Sequence, residues 1–183
     1  MTKAVRSLAA LLALGLLAAG LSACARPPEA SAPAGAPPLV LEDFFRGTTV
    51  GTGRFESRIG GVDRSFTVTT RGRWDGRTLT LREDFVFDDG ERDTVTWRFR
   101  KVGEGRFEGT REDVIGTADV RAENGTIRMS YDAVIGGNGT QGGTRVRFED
   151  VLYRTGPREV VNRAVVSRFG FPVGTVEVTF RRR

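Results

Sequence analysis

The most constraining feature of this sequence is the stretch TLTLREDFVFDDGERDTVTWRFRK, residues 78–101, in which apolar and polar residues alternate on both sides of a glycine-containing turn. Successive side chains of a β-strand point to opposite faces, so this alternation predicts two strands. The first strand carries an apolar row formed by Leu79, Leu81, Phe85 and Phe87, and the second carries a row formed by Val95, Trp97 and Phe99. The stretch therefore predicts a β-hairpin with one buried face.

The register of this hairpin depends on the length of its turn. A two-residue loop at Asp89-Gly90 would place the two apolar rows on opposite faces. A three-residue loop over residues 88–90, with Gly90 in the left-handed conformation, places both rows on one face. We predict the three-residue loop, because a shift of one residue would expose a whole apolar row. The predicted pairs are Phe85 with Asp93, Leu81 with Trp97 and Leu79 with Phe99.

The rest of the chain after residue 38 repeats this pattern of short strands and glycine turns. Strands are predicted over residues 50–59, 64–74, 106–111, 118–121, 126–135, 144–154, 159–169 and 173–181, with a bulge or corner at 113–116. Residues 39–45 are predicted to form a strand end or a single helical turn that plugs one end. Sequential hairpins must hide their edge strands, which predicts an all-β fold, a single antiparallel up-and-down β-barrel of about eight to ten strands.

The first 23 residues have the features of a secretory signal peptide. Lys3 and Arg6 precede an apolar run, residues 8–21, that is too short to span a membrane comfortably. The closing sequence LSAC resembles the lipobox of bacterial lipoproteins, in which the Cys is acylated and becomes the first residue of the mature chain. Cys24 is therefore the predicted lipidation site, and the alternative is an incidental Cys in an ordinary anchor helix.

Residues 25–38 contain five of the seven prolines of the chain. This composition predicts a semi-extended tether. The predicted organisation is thus a signal peptide over 1–23, the lipidated Cys and tether over 24–38, and a barrel domain over 39–183. Lipoproteins kept in the inner membrane commonly have Asp after the acylated Cys, whereas this chain has Ala25. We therefore expect a lipid-anchored protein in the inner leaflet of the bacterial outer membrane, facing the periplasm.

Charge and composition exclude several classes of protein. The formal charge of +5 includes Lys3 and Arg6, which the predicted cleavage removes. The remaining basic residues are interspersed with acidic ones except at residues 181–183, so nucleic acid is not an expected partner. The chain has no His, and its single Cys is assigned to acylation, which excludes Ser-His, Cys-His and His-metal sites. No cofactor, metal or catalytic residue is predicted.

A membrane-spanning barrel is also disfavoured by the sequence. The outward positions of the predicted hairpin carry charged side chains that lipid would penalise: Arg82, Asp84, Arg98 and Arg100. We expect a barrel with a polar exterior.

Several stretches of the chain are recognisable together: EDFVFDDGE (83–91) with Trp97, GEGRFEGTREDVIGTA (103–118), RFEDVLY (147–153), NRAVVSRFG (162–170) and VGTVEVTF (173–180). This set resembles the DUF3833 family of bacterial lipoproteins, over essentially the whole folded part and in the right order. The resemblance implies a lipocalin-like or calycin-like barrel and a connection with lipid modification, although the family's function is unknown. The family tends to have Trp at the positions of Met129 and Val151.

Two acidic residues fall within apolar rows by alternation, Glu83 in the first strand of the hairpin and Asp150 in the strand over 144–154. An unpaired buried carboxylate is costly, so each is expected to have a partner, reach the barrel mouth or have a raised pKa. Arg163 or Arg168 is a candidate partner, and Asn162 is a candidate hydrogen-bond donor. Three interpretations stay open: a polar cluster that fixes the register, a ligand-binding group, or an acid pair for hydrolysis as in glycosidases.

The candidate ligand-binding residues are Glu83, Trp97, Tyr131, Phe148, Asp150, Asn162 and Arg163. The leading hypothesis is a non-enzymatic lipoprotein, held to the membrane by acylated Cys24, that binds or hands over a fatty-acyl lipid, a phospholipid or a similar amphiphile. One alternative is a structural or interaction lipoprotein with a filled core. Another is a carboxylate-dependent enzyme that acts on modified lipids through Glu83 or Asp150.

Overall fold

The computed structural model describes residues 28, 32–58, 61, 63–136 and 142–183. This described part contains one short helix and ten strands. Helix α1 spans Leu41–Phe45. The strands are β1 Gly47–Ser57, β2 Asp63–Trp74, β3 Thr78–Phe87, β4 Arg92–Gly103, β5 Arg106–Thr110, β6 Val114–Glu123, β7 Thr126–Ile135, β8 Thr144–Gly156, β9 Glu159–Arg168 and β10 Phe171–Arg182.

The ten strands form one closed antiparallel barrel. Each strand pairs with its neighbours in sequence, and β1 also pairs with β10, so the described strands leave no free sheet edge. Closure is what an up-and-down sheet requires to satisfy the backbone groups of its two end strands. The predicted all-β barrel is confirmed, with ten strands at the upper end of the expected range.

The β3–β4 hairpin has the predicted three-residue turn. Gly90 has a φ of 85°, the left-handed conformation that glycine adopts without steric cost. The apolar rows of both strands consequently face the barrel interior. The observed pairs are Leu79 opposite Phe99, Leu81 opposite Trp97 and Phe85 opposite Asp93, as predicted.

Of the two predicted alternatives at residues 113–116, the structure shows the β-bulge, and it lies inside a longer strand. The register of β6 against β7 shifts between Ile115 and Asp119, and Gly116 has a φ of 74°. The bulge leaves the chain within the sheet, so β6 begins at Val114 rather than at the predicted residue 118.

Helix α1 closes one end of the barrel, as the helical-turn alternative predicted. Leu41, Phe44 and Phe45 are at most 3% exposed, and the ring of Phe45 meets that of Phe180 edge-on at 5.3 Å. Gly72 permits this close approach, because a Cβ atom at that position would lie 1.8 Å from the carbonyl oxygen of Phe45. We call this the capped end, and the opposite end, which carries the β3–β4 and β9–β10 turns, the open end.

The described residues that precede helix α1, residues 28 and 32–40, form an N-terminal segment that lies partly against the outer wall of the barrel. Ala32 packs on the outward-facing Val151, Tyr153 and Val161, and the backbone N–H of Leu39 donates to the carbonyl of Gly125 at 3.0 Å. Apolar outward positions on β8 and β9 are buried in this way, a contact that the sequence did not predict.

The predicted signal peptide and Cys24 lie outside the described residues. Within the described part of the chain, no helix combines the length and the hydrophobicity needed to cross a bilayer.

Candidate functional site

A cavity of about 240 Å³ lies inside the barrel. Leu41 and Phe45 form its floor at the capped end, and its wall is made by inward-facing side chains of the strands. Its charged and amide lining residues are Glu83, Arg111, Asp150 and Asn162, and Tyr131 lines it as well.

The inward row of β3 shows from which side this cavity is reached. Leu79 is 0% exposed, Leu81 is 3% and Glu83 is 9%, whereas Phe85 and Phe87 are half-buried. Exposure therefore increases from the capped end towards the open end. We infer that the mouth of the cavity lies at the open end, on the side of Phe85 and Phe87.

Aromatic rings form one continuous part of the wall. Tyr131 and Phe148, directly opposite each other on β7 and β8, stack with centroids 4.9 Å apart and planes 7° from parallel. Trp97 meets Tyr131 edge-on at 5.1 Å and stacks on Phe99 at 5.0 Å. These contacts fix the rings and leave an apolar surface facing the cavity. All three predicted aromatic residues of the site, Trp97, Tyr131 and Phe148, line the cavity.

Asp150 and Asn162 form a hydrogen-bonded pair on the same wall. Nδ2 of Asn162 donates to Oδ1 of Asp150 at 2.9 Å. The other oxygen of each group, Oδ2 of Asp150 and Oδ1 of Asn162, is buried and has no hydrogen-bond partner among the described residues. A buried acceptor without a partner is unfavourable, which marks this pair as incomplete.

Glu83 is the second carboxyl of the cavity, and no described residue donates a hydrogen bond to it. Burial raises the pKa of Glu83 to about 7; Arg111 lowers that pKa, while Asp150 and Asp113 raise it. Burial also raises the pKa of Asp150 to about 7, against the hydrogen bond from Asn162 and the charge of Arg111, which lower it. Near neutral pH each of the two carboxyl groups is therefore protonated in part of the molecules and ionised in the rest.

Arg111 is the cation of the site, and the sequence reasoning missed it. Its side chain is 12% exposed, and its Nε and a terminal nitrogen donate to the two oxygens of Asp113 at 2.6 and 2.9 Å. The guanidinium carbon lies 4.6 Å from the ring centroid of Trp97. The alternation of β5 could have predicted its position, because the inward row through Phe107 and Gly109 continues to Arg111.

The prediction that Arg163 or Arg168 pairs with a buried carboxylate of the site is wrong. Arg163 faces the outer wall, where its Nε donates to Glu177 at 2.7 Å, and its side chain is 48% exposed. It lies next to Asn162 on β9, and adjacent strand residues face opposite sides of the sheet. Arg168 is exposed at the open end, with its guanidinium 5.0 Å from the ring of Phe169. Arg163 consequently does not line the cavity, unlike the other six predicted site residues.

A larger hollow of about 550 Å³ lies on the outside of the barrel, bordered by Pro28 and by β1, β9 and β10. Its charged side chains are already paired, as Arg163 is with Glu177 and Arg54 is with Glu56. None of its described lining residues has a buried polar atom without a partner, unlike Asp150 and Asn162 of the interior cavity, so the interior cavity is the better candidate site despite its smaller volume.

The chemistry available in the cavity is that of carboxyl, amide, phenol and guanidinium groups. Among the described residues, no three His, Cys, Asp or Glu side chains converge in a way that would hold a metal ion. Burial, with Asp150 nearby, raises the pKa of Tyr131 well above its usual range, so its hydroxyl stays protonated. The site can therefore exchange protons near neutral pH and accept hydrogen bonds from a ligand.

A closed antiparallel barrel with an internal cavity and a few convergent polar groups is the architecture of barrels that hold one small molecule. The chain belongs to the family described as a protein of unknown function, DUF3833, whose family profile matches residues 18–182. A comparison with curated proteins finds no match.

One solved structure supports the same fold, and a second likeness is weaker. An S-type phycobiliprotein lyase, CPES, from Guillardia theta aligns with a TM-score of 0.57 at 12% identity, over 79% of this chain and 93% of that chain. A redesigned β-barrel, mFAP0, bound to DFHBI aligns with a TM-score of 0.42 at 11% identity, over 76% of this chain and 99% of its own. At this identity the first likeness concerns the fold alone.

Proposed function

We propose that this protein is a lipid-anchored periplasmic binding protein whose barrel holds the apolar part of a small amphiphile. The observation that carries the proposal is an apolar cavity, open at one end, that contains a buried polar group with unpartnered oxygens on Asp150 and Asn162. Buried polar atoms in proteins are normally satisfied, so a cavity that presents unsatisfied ones to an apolar space is suited to a ligand with a polar end.

The size of the cavity limits the ligand. Its volume of about 240 Å³ lies just below the range of roughly 300–1,000 Å³ typical of small-molecule sites. A whole phospholipid does not fit inside it. A short acyl chain, or the end of a longer one whose remainder leaves through the open end, matches both the volume and the aromatic wall.

The anchor is proposed from the sequence. The lipobox-like LSAC closes an apolar run, and Cys24 is the only cysteine of the chain. With Ala25 after it, we propose the inner leaflet of the outer membrane as the location of the acylated chain. A binding barrel held at a membrane surface meets amphiphiles at a high local concentration. The anchor would therefore increase the occupancy of the cavity.

The open cavity argues against the alternative of an interaction lipoprotein with a filled core. That alternative expects the space between Trp97, Tyr131 and Phe148 to be packed shut, and these side chains instead border the cavity.

A pair of adjacent variants on β9 tests the proposal. Ala164 is 3% exposed and lines the cavity, whereas the next residue, Val165, faces the outer wall. We expect the full mature chain, extracted from membranes with its anchor, to carry a stoichiometric amphiphile in native mass spectrometry. Ala164→Phe should lose that mass, and Val165→Phe should keep it.

Two controls make this experiment decisive. Thermal unfolding shows whether Ala164→Phe still folds, and Ala164→Leu replaces it if it does not. A wild-type chain that shows only its acylated mass, and stays so when challenged with membrane lipid extracts, would contradict ligand binding. A Cys24→Ala variant that remains membrane-bound would contradict the anchor separately.

An enzyme is the second candidate, because Glu83 and Asp150 both have a pKa of about 7. Two carboxyl groups that are each partly protonated near neutral pH can act as general acid and general base. Hydrolysis of p-nitrophenyl esters and glycosides with short acyl or alkyl groups would test this. A bell-shaped pH profile centred near pH 7, abolished in Glu83→Gln and Asp150→Asn without loss of the fold, would favour the enzyme.

A further inference from the structure

The buried cavity oxygens that lack a partner have one property in common: each can accept a hydrogen bond. Oδ2 of Asp150 and Oδ1 of Asn162 are buried and unpartnered among the described residues, and Glu83 accepts no hydrogen bond from that part of the chain. Glu83 is 9% exposed and Asp150 is 5% exposed. We propose that the cavity selects an amphiphile whose head is a cationic N–H donor, such as a primary ammonium, over one with an anionic head. This inference rests on the proposed function and names the class of ligand.

The number of acceptors suits such a head. An ammonium group carries three N–H donors and no acceptor, and the cavity offers one free oxygen on Asp150, one on Asn162 and the carboxyl of Glu83. A carboxylate head, as in a fatty acid, carries only acceptors. It would leave all these oxygens unsatisfied and add a third negative charge beside two acidic groups.

The charge balance of the site points the same way. Arg111 is the only basic side chain that lines the cavity in the described part of the chain, and its guanidinium is bound by both oxygens of Asp113. Its positive charge is therefore already compensated. Glu83 and Asp150, when ionised, share this single nearby cation with Asp113. The ionised site therefore has an excess of negative charge that favours a cation.

The aromatic wall already accommodates one cation. The guanidinium of Arg111 lies 4.6 Å from the ring centroid of Trp97 and 5.6 Å from that of Tyr131. The faces of aromatic rings attract cations, and this attraction is strongest where water is excluded. The alkyl part of an amine would pack on the same rings towards the capped end.

Glu83 and Asp150 form an acidic pair, and protonation of this pair should weaken the preference for a cationic head. The groups that act on Glu83 and Asp150 are Arg111, Asp113, Tyr131 and Glu149, from β5 to β8 and their connections, together with the amide of Asn162 on β9. Arg111 stays protonated, so between pH 5.5 and pH 8 the two cavity carboxyls change charge and the guanidinium does not. The cationic head should be preferred at pH 8 and lose its advantage at pH 5.5.

Three probes of equal chain length test the inference: 1-hexylamine, 1-hexanol and hexanoate. They are titrated against the full mature chain in polymer-bounded membrane discs, with tryptophan fluorescence as the readout. Of the two tryptophans of the chain, Trp97 lines the cavity and Trp74 does not. Ala164→Phe in identical discs measures partition into lipid and is subtracted. At pH 8 we expect hexylamine to bind at least about tenfold more tightly than hexanoate, with hexanol between them, since one unscreened charge pair in a partly buried site exceeds that difference.

The acidic pair supplies the matched variants. At pH 5.5 the ratio of hexylamine to hexanoate affinity should fall about tenfold, and Glu83→Gln with Asp150→Asn should give the low ratio at both pH values. The single variants replace the double variant if the latter does not fold. Hexanoate binding equal to or tighter than hexylamine would overturn the inference and leave Arg111 as the anchor of an anionic head. Failure of all three probes to bind the wild type more than Ala164→Phe would instead contradict the proposed function.

Discussion

The side-chain amide of Asn162 donates a hydrogen bond of 2.9 Å to Oδ1 of Asp150 across the β8–β9 pair. Asn162 lies opposite Leu152 and Asp150 lies opposite Ala164, so the two residues are diagonal neighbours on the inner face of the barrel. Diagonal side chains on one face are within reach of each other. The bond stabilises the charged form of Asp150 where burial disfavours it, and it orients the carboxyl towards the cavity.

Removing this bond should change the titration of Asp150. In Asn162→Leu we expect the pKa of Asp150 to rise above its value of about 7, because burial then acts without the opposing hydrogen bond. Carboxyl carbon NMR with labelled Asp measures the shift, and Glu177→Gln on the outer wall is the control that should leave it unchanged. An unchanged or lower pKa in Asn162→Leu would contradict the assigned role.

The acidic pair should make the stability of the fold depend on pH. The pKa of Glu83 is higher in the folded chain, at about 7, than its ordinary value of 4.5. A carboxyl of this kind stabilises the fold below its unfolded pKa, and that contribution is lost as the pH rises through the folded pKa. The free energy of unfolding of the wild type, relative to Glu83→Gln, should therefore fall by roughly 2–3 kcal/mol between pH 4.5 and about pH 7.

Denaturant unfolding at a series of pH values, followed by tryptophan fluorescence, measures this difference. Asp150→Asn should remove a similar slope, while Glu177→Gln should remove none. A difference that stays constant or grows with pH would show that Glu83 is ionised in the folded chain.

Arg111 and Arg163 provide a comparison between a buried and an exposed arginine. Arg111→Met leaves Asp113 without its partner and Glu83 without a nearby cation, so we expect a loss of about 2 kcal/mol. Arg163→Met removes an exposed ion pair with Glu177 and should cost less than about 1 kcal/mol. Thermal unfolding of both variants measures these losses of stability. Equal losses would mean that the buried ion pair of Arg111 stabilises the fold no more than the exposed pair of Arg163.

The closure of the capped end should depend on Gly72. A Cβ atom there would meet the carbonyl oxygen of Phe45 at 1.8 Å, so Gly72→Ala must displace helix α1. We expect a loss of about 2–3 kcal/mol, as for other overpacked core positions. Gly156→Ala is the matched control, because its Cβ would lie 4.0 Å from that of Glu159, an ordinary contact. Similar unfolding midpoints for the two variants would show that α1 does not seal the barrel.

The sequence predicted the β3–β4 hairpin down to its pairs, because only one turn length brings the rows that contain Leu81 and Trp97 onto a single face. The same alternation correctly placed Glu83 and Asp150 inside. Prediction was less successful for features that depend on neighbours distant in sequence. The start of β6 at Val114 rather than residue 118 was not predicted, although the bulge was, and neither was the contact of Ala32 with the outer wall.

By itself, therefore, the sequence determined the class of fold, the identity of the inward rows and the inward placement of six of the seven candidate residues, since these follow from a period of two along each strand. Only the tertiary structure decided which cation meets the acidic pair. Arg111 enters from the β5–β6 corner, and Arg163 is excluded by the direction of its side chain. The tertiary structure also decided that the interior stays partly empty, because the cavity is the space left when all ten strands close together, and no single strand encodes it.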